Sequence, residues 1–384
     1  MKKVIALSIA LIIIGCGSKE KSGYFTERAN AVTDIQFESL NIESFDLEYV
    51  KSSLGGVLVM DGEHLNFIDY QFGRVYQFDT DGNFIRLVLD RGRGPSELPR
   101  GGITFYSQLP NRGHLFIGSS YDYYVFNADY ERLQDSMIRW QQDKPLEYLH
   151  NNPTPEDHRS YNLAYYIGDV RTTNEVAFLP LMGSLPQYSA FSFDTELFAS
   201  EARILASMNL ETGEVDRIFG RFSPLYVQNP PARLFPFFFY DLIDEETLAI
   251  TYAADPDIYL FTTDFRHIAT FGSKGRNMDK EYEDFSGISD KDFEQFGLTQ
   301  WNTKDGYSSL TYIPETNLLF RGYTRNSDPD RDGLQIYRDN VLFADVDIPP
   351  MRKVIGYHDG WYYTDAKINE REETKTVYRF RLDF

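Results

Sequence analysis

Cysteine is nearly absent: Cys16 is the one copy in 384 residues. That excludes an intrachain disulfide, a cysteine-rich zinc site and a cysteine nucleophile in the body of the chain. Histidine is scarce too. Its six copies, His64, His114, His150, His158, His267 and His358, include no pair at zinc-binding spacing with a third ligand. Positive charge is in deficit, with 38 Lys and Arg against 58 Asp and Glu. The resulting net charge of −20 and pI near 4.7 argue against a nucleic-acid partner, since phosphate binding wants a basic footprint. An acidic surface of this kind serves solubility. No G-x-S-x-G elbow, P-loop or dinucleotide fingerprint occurs either.

Long hydrophobic runs are also missing. The one candidate, Val4 to Ile14, is too short to span a bilayer and follows the basic Met1-Lys-Lys3. Ile14-Gly15-Cys16 comes directly behind it, and this arrangement resembles the bacterial lipoprotein signal, whose lipobox ends in a small residue and a cysteine. The resemblance implies cleavage before Cys16, a diacylglycerol thioether on its sulfur and an acylated amino terminus, palmitate being the typical chain. Several acyl chains together anchor stably where one does not. The expected partner is therefore the membrane, through a lipid anchor, and the expected location is the cell envelope as an outer-membrane lipoprotein. Only Glu20 among two lysines follows the cysteine, so the periplasmic and surface leaflets both stay open. Residues 1–15 read as a signal peptide, 16–23 as a flexible tether and 24–384 as one domain.

Aromatic residues are plentiful. Phe and Tyr, 30 and 27 copies, dominate a 16% aromatic content that favours strands. The clearest unit is Val75 to Pro95: a period-two run, an Asp81-Gly82 hairpin turn, a return strand, and a corner where glycines and a proline stop it. Weaker copies recur at 124–135, 204–220, 258–272, 334–348 and 377–384, each preceded by a further apolar strand or strand pair. Six units of about four strands each predict an all-β, six-bladed β-propeller. The last unit ends at the C-terminus, and Ala31 to Leu40 has no blade of its own, so this N-terminal strand is expected to complete the last blade and close the ring.

With these units, the corner Asp90-Arg-Gly-Arg-Gly-Pro-Ser-Glu97 and its echo Phe271-Gly-Ser-Lys-Gly275, the chain resembles the TolB-like and NHL-like six-bladed propellers. More narrowly it resembles the propeller lipoproteins of Bacteroidota, which include a family of unknown function. The resemblance implies the fold and says little about activity, because propellers host binding proteins, lyases and hydrolases alike.

Three long insertions interrupt the units: Arg139 to Ser160, Gly183 to Ser200, and Gly275 to Thr299, the last with a short helix around Asp290 to Phe296. Loops on a rigid scaffold carry binding residues, and they are also where drift is cheapest. The candidate ligand-binding residues are Arg91 and Arg93 in the glycine corner, Arg139, Trp140, His150 and His158 in the first insertion, and Trp301. Aromatic faces beside arginines suit sugars or peptides. Asp328, Asp330, Asp332 and Asp339 match the spacing of a calcium loop, with alternate carboxylates, a glycine at 333 and a closing acid. Calcium is thus the one cofactor the sequence suggests, against the reading of a solvated acidic turn between strands. Taken together, the expectation is a non-catalytic module binding a glycan or peptide ligand or an envelope protein, with the first and third insertions lining one mouth of the channel. The alternative is a carbohydrate-active hydrolase or lyase using carboxylates at that mouth.

Overall fold

Runs alternating Phe, Tyr, Val, Ile and Leu with polar residues form antiparallel strands, since such side chains pack well on a pleated, half-buried surface. In the computed structural model these strands make six small sheets arranged as a six-bladed β-propeller. The structure describes Phe25 and residues 32–382, except 38, 100–101, 142–143, 166, 168, 191–195, 286–287, 327 and 351–352. Cys16, the signal-like stretch and the tether lie outside the described residues.

Blade one is Gly56–Asp61, His64–Asp69, Arg74–Phe78 and Phe84–Arg91; blade two is Phe105–Gln108, His114–Ile117, Asp122–Phe126 and Arg132–Met137. Blade three comprises Arg171–Thr172, Val176–Gly183, Leu205–Asn209 and Val215–Phe219, with Tyr161–Leu163 added beside Val176–Gly183. Blade four is Phe238–Leu242, Thr247–Tyr252, Ile258–Thr262 and His267–Phe271; blade five is Gly306–Ile313, Leu318–Thr324, Asp332–Arg338 and Val341–Ile348. Blade six takes Val354–His358, Trp361–Thr364 and Thr374–Phe380 from the C-terminal end, and its fourth strand is Ile42–Asp46.

An N-terminal strand therefore closes the ring, but the closing strand is Ile42–Asp46 rather than 31–40. Thr33–Phe37 pairs in parallel with Val341–Ile348 and extends blade five instead. The reason is reach: only residues 47–55 separate Ile42–Asp46 from the first strand of blade one, so the strand nearest in sequence takes the free edge of blade six. Phe45 then packs against Tyr363 and lies under the Arg379 guanidinium.

Neighbouring blades are stitched by polar contacts from buried tyrosines and carboxylates as well as by apolar packing. The Tyr123 hydroxyl donates to the Leu210 carbonyl, the Tyr240 hydroxyl to the carbonyls of Phe178 and Asp169, and the Leu58 amide to the Asp365 carboxylate. The FPFFFY run at 235–240 enters blade four, and Phe235, Phe238 and Tyr240 are buried. The glycine corner is explained by Glu97. A Cβ on Gly92 would fall 2.0 Å from Glu97 Oε2, and the same carboxylate accepts the Gly94 amide at 2.6 Å.

The two faces of the ring differ. Turns from first to second strand are tight in every blade, as at 62–63, 109–113, 243–246, 314–317 and 359–360, and so are those from third to fourth strand in blades one to five. The long segments 138–170, 184–204, 220–237 and 272–305 all emerge on the opposite face, because each leaves a second or a fourth strand. The predicted helix there runs Asp290–Thr303, longer than the sequence suggests.

Candidate functional site

The first strand of each blade faces the propeller axis, and together these strands wall a central cavity of about 630 Å³. Val57 and Val59 of blade one, Tyr106 and Gln108 of blade two, Arg171 of blade three, Asp241 of blade four, Tyr312 and Ile313 of blade five, and Ile355 of blade six all line it. A pocket of this size with apolar walls and a few convergent polar groups has the usual make-up of a small-molecule site. At the tight-turn end the lining residues Pro314 and Glu315 are exposed and the Arg112 side chain is 63% exposed. Toward the other end Asp169 and Lys353 are largely buried.

Four charges converge in it. Arg171 Nε lies 2.5 Å from Asp241 Oδ1, Arg171 Nη1 lies 3.7 Å from Asp169 Oδ1, and Lys353 Nζ lies 2.6 Å from the same Asp169 oxygen. Their side chains are only 11% to 19% exposed. The second Asp241 oxygen accepts the Tyr312 amide at 2.8 Å, tying blade four to blade five. Burial alone would raise the Asp169 pKa, but Lys353 and Arg171 outweigh it and hold the carboxyl below its ordinary range. Burial likewise acts to lower the Arg171 pKa, and Asp241 and Asp169 reverse the direction. Tyr70, on the same wall, is pushed well up by burial and by the nearby charge of Asp169 and Asp365. Asp169 and Arg171 are thus each held in the charged form by the other and by their neighbours.

Against the blade-two wall lies a second polar network. His114 is fully buried, stacked on Tyr130 with ring centroids 3.9 Å apart, and its Nδ1 is hydrogen-bonded to the Tyr106 hydroxyl at 2.9 Å. Tyr130 accepts from Asn66, and Asp61 accepts from Asn66, Gln108 and Arg112. Burial lowers the His114 pKa to about 4, so the ring is neutral at pH 7.

The residues singled out from sequence fall elsewhere. None of the residues 139–160 or 275–299 lines the central cavity, which corrects the expectation that these insertions frame its mouth. Both leave a fourth strand, on the face opposite the tight turns. Arg91 and Arg93 are exposed on the outermost strand of blade one and the corner behind it, at the perimeter. Arg139 is tied to blade three, its amide donating to the Gly213 carbonyl and its guanidinium 3.5 Å from Glu214. Trp301 donates its indole N–H to the Leu234 carbonyl and packs on Phe237. His150 is exposed at the end of the helix Leu146–Asn151. Trp140 and His158 are brought together, their rings 6.2 Å apart and nearly perpendicular.

The four aspartates of the calcium-like motif are not gathered. Asp332 and Asp339 stand at opposite ends of the extended strand Asp332–Arg338, about 23 Å of chain, and Asp339 occupies a tight turn at positive φ. Asp332 accepts the Arg325 amide and Asp328 the Asp330 amide. A calcium loop needs its last acid to fold back over the first three. Among the described residues no group of three or more His, Cys, Asp and Glu is placed to hold a metal ion.

Asp169, Arg171, Asp241 and Lys353 carry no motif, because they are 2 to 184 residues apart and meet only when the ring closes. The available signal is charge on, or just before, the first strand of a repeat, the strand that lines the axis.

No family model matches the chain, and no curated protein is similar to it. Among solved structures it is similar to a member of the DUF4221 family from Bacteroides vulgatus, with a TM-score of 0.58 and 14% identity over 89% of this chain and 97% of that one. It is also similar to a Bacteroides fragilis protein named as an exported one, with a TM-score of 0.50 and 11% identity over 93% of this chain and 98% of that one. At such identities the likeness is one of fold. No helix among the described residues is long and apolar enough to cross a membrane.

Proposed function

We propose that this chain is a lipid-anchored propeller of the cell envelope that binds a small polar ligand in its central cavity and does not transform it. The observation that carries the reading is the cavity itself, walled by all six first strands and holding Asp169, Arg171, Asp241 and Lys353 in fixed, charge-balanced positions. Such preorganised groups orient a polar ligand at little entropic cost. The lipobox-like Ile14-Gly15-Cys16 and a structural neighbour named as exported support the envelope location.

The same geometry disfavours the hydrolase alternative. Glycoside hydrolysis needs one carboxyl group held protonated beside an ionised one. Here Arg171 bridges the two axial carboxylates, and Lys353 and Arg171 together outweigh burial to lower the Asp169 pKa. The test is a thermal-shift screen of monosaccharides, amino sugars, amino acids and dipeptides on the wild type and on an Arg171→Met, Asp241→Leu double variant. A compound that raises the wild-type melting temperature but not that of the variant supports the reading. Hits that shift both equally remove the cavity as the site, and new products in the mass spectrum of the incubated hit overturn the non-catalytic part.

A further inference from the structure

The first insertion builds a second, separate concavity on the long-loop face. Tyr121, Trp140, Leu146, His158, Arg159 and Tyr161 line a cavity of about 300 Å³ between blades two and three, with Asn162 and Ser184 at its side. Its walls are preset. Trp140 meets Tyr121 at 79° and His158 at 89°, both T-shaped contacts, so the indole has neighbours that fix its plane. Tyr161 is buried and stacked on Tyr188, and its hydroxyl accepts the Arg203 amide. The Asp157 side chain caps the following turn by accepting the Arg159 amide.

The charge in this cavity runs against the rest of the molecule. In a chain of net charge −20, the Arg159 guanidinium has no carboxylate partner among the described residues and donates to the Lys144 carbonyl instead. Lys144, next to it, also forms no ion pair there; its ammonium rests 5.9 Å from the Tyr148 ring centroid and 3.5 Å from the Thr154 hydroxyl. The insertion's other arginine, Arg139, faces Glu214, and Arg203, which reaches it from the next segment, is neutralised by Glu156. A cation with no carboxylate partner among the described residues, beside an ordered aromatic wall, is the arrangement that recognises a ring with an apolar face and an anionic group.

We infer that this cavity is a binding site for an acidic sugar, a hexuronate unit of a glycan, with the apolar face of the ring on Trp140 and its carboxylate on Arg159. The polar edge distinguishes a sugar from an aromatic acid. The Asn162 amide offers donors and an acceptor for ring hydroxyls, and the Ser184 hydroxyl, whose proton goes to the Arg159 carbonyl, keeps lone pairs to accept from one; an aromatic acid has no hydroxyls to use them. The site shares no lining residue with the central cavity, so it stands independently of the reading given above.

The test is calorimetric titration of the whole chain with a galacturonic acid trimer and, in parallel, with maltotriose and benzoate, reading tryptophan fluorescence as well. The galacturonate trimer is expected to bind saturably and perturb the Trp140 emission, and maltotriose to bind at least about tenfold more weakly. Arg159→Gln should weaken the trimer by about tenfold or more and leave maltotriose unchanged, and Trp140→Ala should weaken both. The Arg171→Met, Asp241→Leu variant, altered only in the central cavity, should bind the trimer as the wild type does. Equal binding of maltotriose, tighter binding of benzoate, no saturation by the trimer, or full binding by a folded Arg159→Gln variant each overturns the proposal. Melting curves of both variants check that they fold.

Discussion

Lys353 Nζ and Asp169 Oδ1 lie 2.6 Å apart although 184 residues separate them in sequence, joining the entry of blade six to the entry of blade three inside the channel. Removing one partner of a buried pair strands the other charge and commonly costs 3 to 5 kcal/mol, roughly, whereas replacing both by apolar groups costs little. Both side chains here keep a little exposure and Arg171 remains beside Asp169. Lys353→Met is therefore expected to lose about 2 to 3 kcal/mol in urea unfolding, and Lys353→Met with Asp169→Leu distinctly less. A double variant as unstable as the sum of the singles would show that the pair is not coupled.

The same pair has a pH signature. The folded Asp169 carboxyl lies below its unfolded pKa, so its contribution is present in full above the ordinary aspartate range and lost as the pH falls from there through the lower folded value. His114 acts in a higher window. Its folded pKa of about 4 lies below the unfolded value of 6.5, so the unfolded chain binds the proton first. Stability should then drop as the pH falls from about 6.5 to 4, by roughly 3 kcal/mol from this one ring. Denaturant midpoints measured across that interval check it. His114→Phe, which keeps the stack on Tyr130, is expected to flatten this part of the curve, and an unchanged slope would assign the loss to other groups.

How much of this could be read from the chain follows from the range of the interactions concerned. The outer hairpins were legible because Asp81-Gly82, Thr212-Gly213 and Asp339-Asn340 signal their turns locally, and the period-two runs beside them need only their own neighbours. The ring closure was legible as a surplus strand against a deficit, yet the exact strand was not, since Thr33–Phe37 and Ile42–Asp46 alternate equally well and only chain reach chooses between them. The calcium-like spacing misled because a motif fixes sequence distance. A strand between Asp332 and Asp339 turns that distance into a long separation where a loop would have kept it short. The axial charges were not legible at all, being assembled from three blades.

The N-terminal strands divide the labour, and truncations separate their roles. Removing everything before residue 40 deletes Thr33–Phe37, an added parallel strand on an already four-stranded blade, and should leave a cooperative melt at a somewhat lower temperature. Removing everything before residue 47 also deletes Ile42–Asp46 and exposes the edge of Thr374–Phe380 along its length. That form is expected to aggregate or fail to fold. Circular dichroism and analytical size exclusion distinguish the two, and a soluble, cooperatively melting second form would show that the ring closes without this strand.

Arg321 offers the sharpest single-residue test of the blade four to blade five interface. It is fully buried, and its guanidinium donates to Gln335 Oε1, the Tyr337 hydroxyl and the carbonyls of Pro256 and Ser273. It also lies 3.9 Å from the Tyr307 ring centroid, and Lys280 Nζ lies 3.8 Å from the same centroid. Burial and the charge of Arg321 lower the Lys280 pKa well below its ordinary value. The planar fork reaches acceptors spread on several sides while lying flat on tyrosine, and an ammonium, with three donors at a single point, cannot cover the same set. Arg321→Lys is accordingly expected to cost about 2 to 4 kcal/mol by leaving buried acceptors without donors. It should also raise the Lys280 pKa little, because a cation still faces the ring. Arg321→Met removes that cation, and Lys280 should then titrate higher, which reductive methylation followed by NMR of the labelled amine would show. An Arg321→Lys variant as stable as the wild type would mean that the fork geometry contributes nothing to the interface.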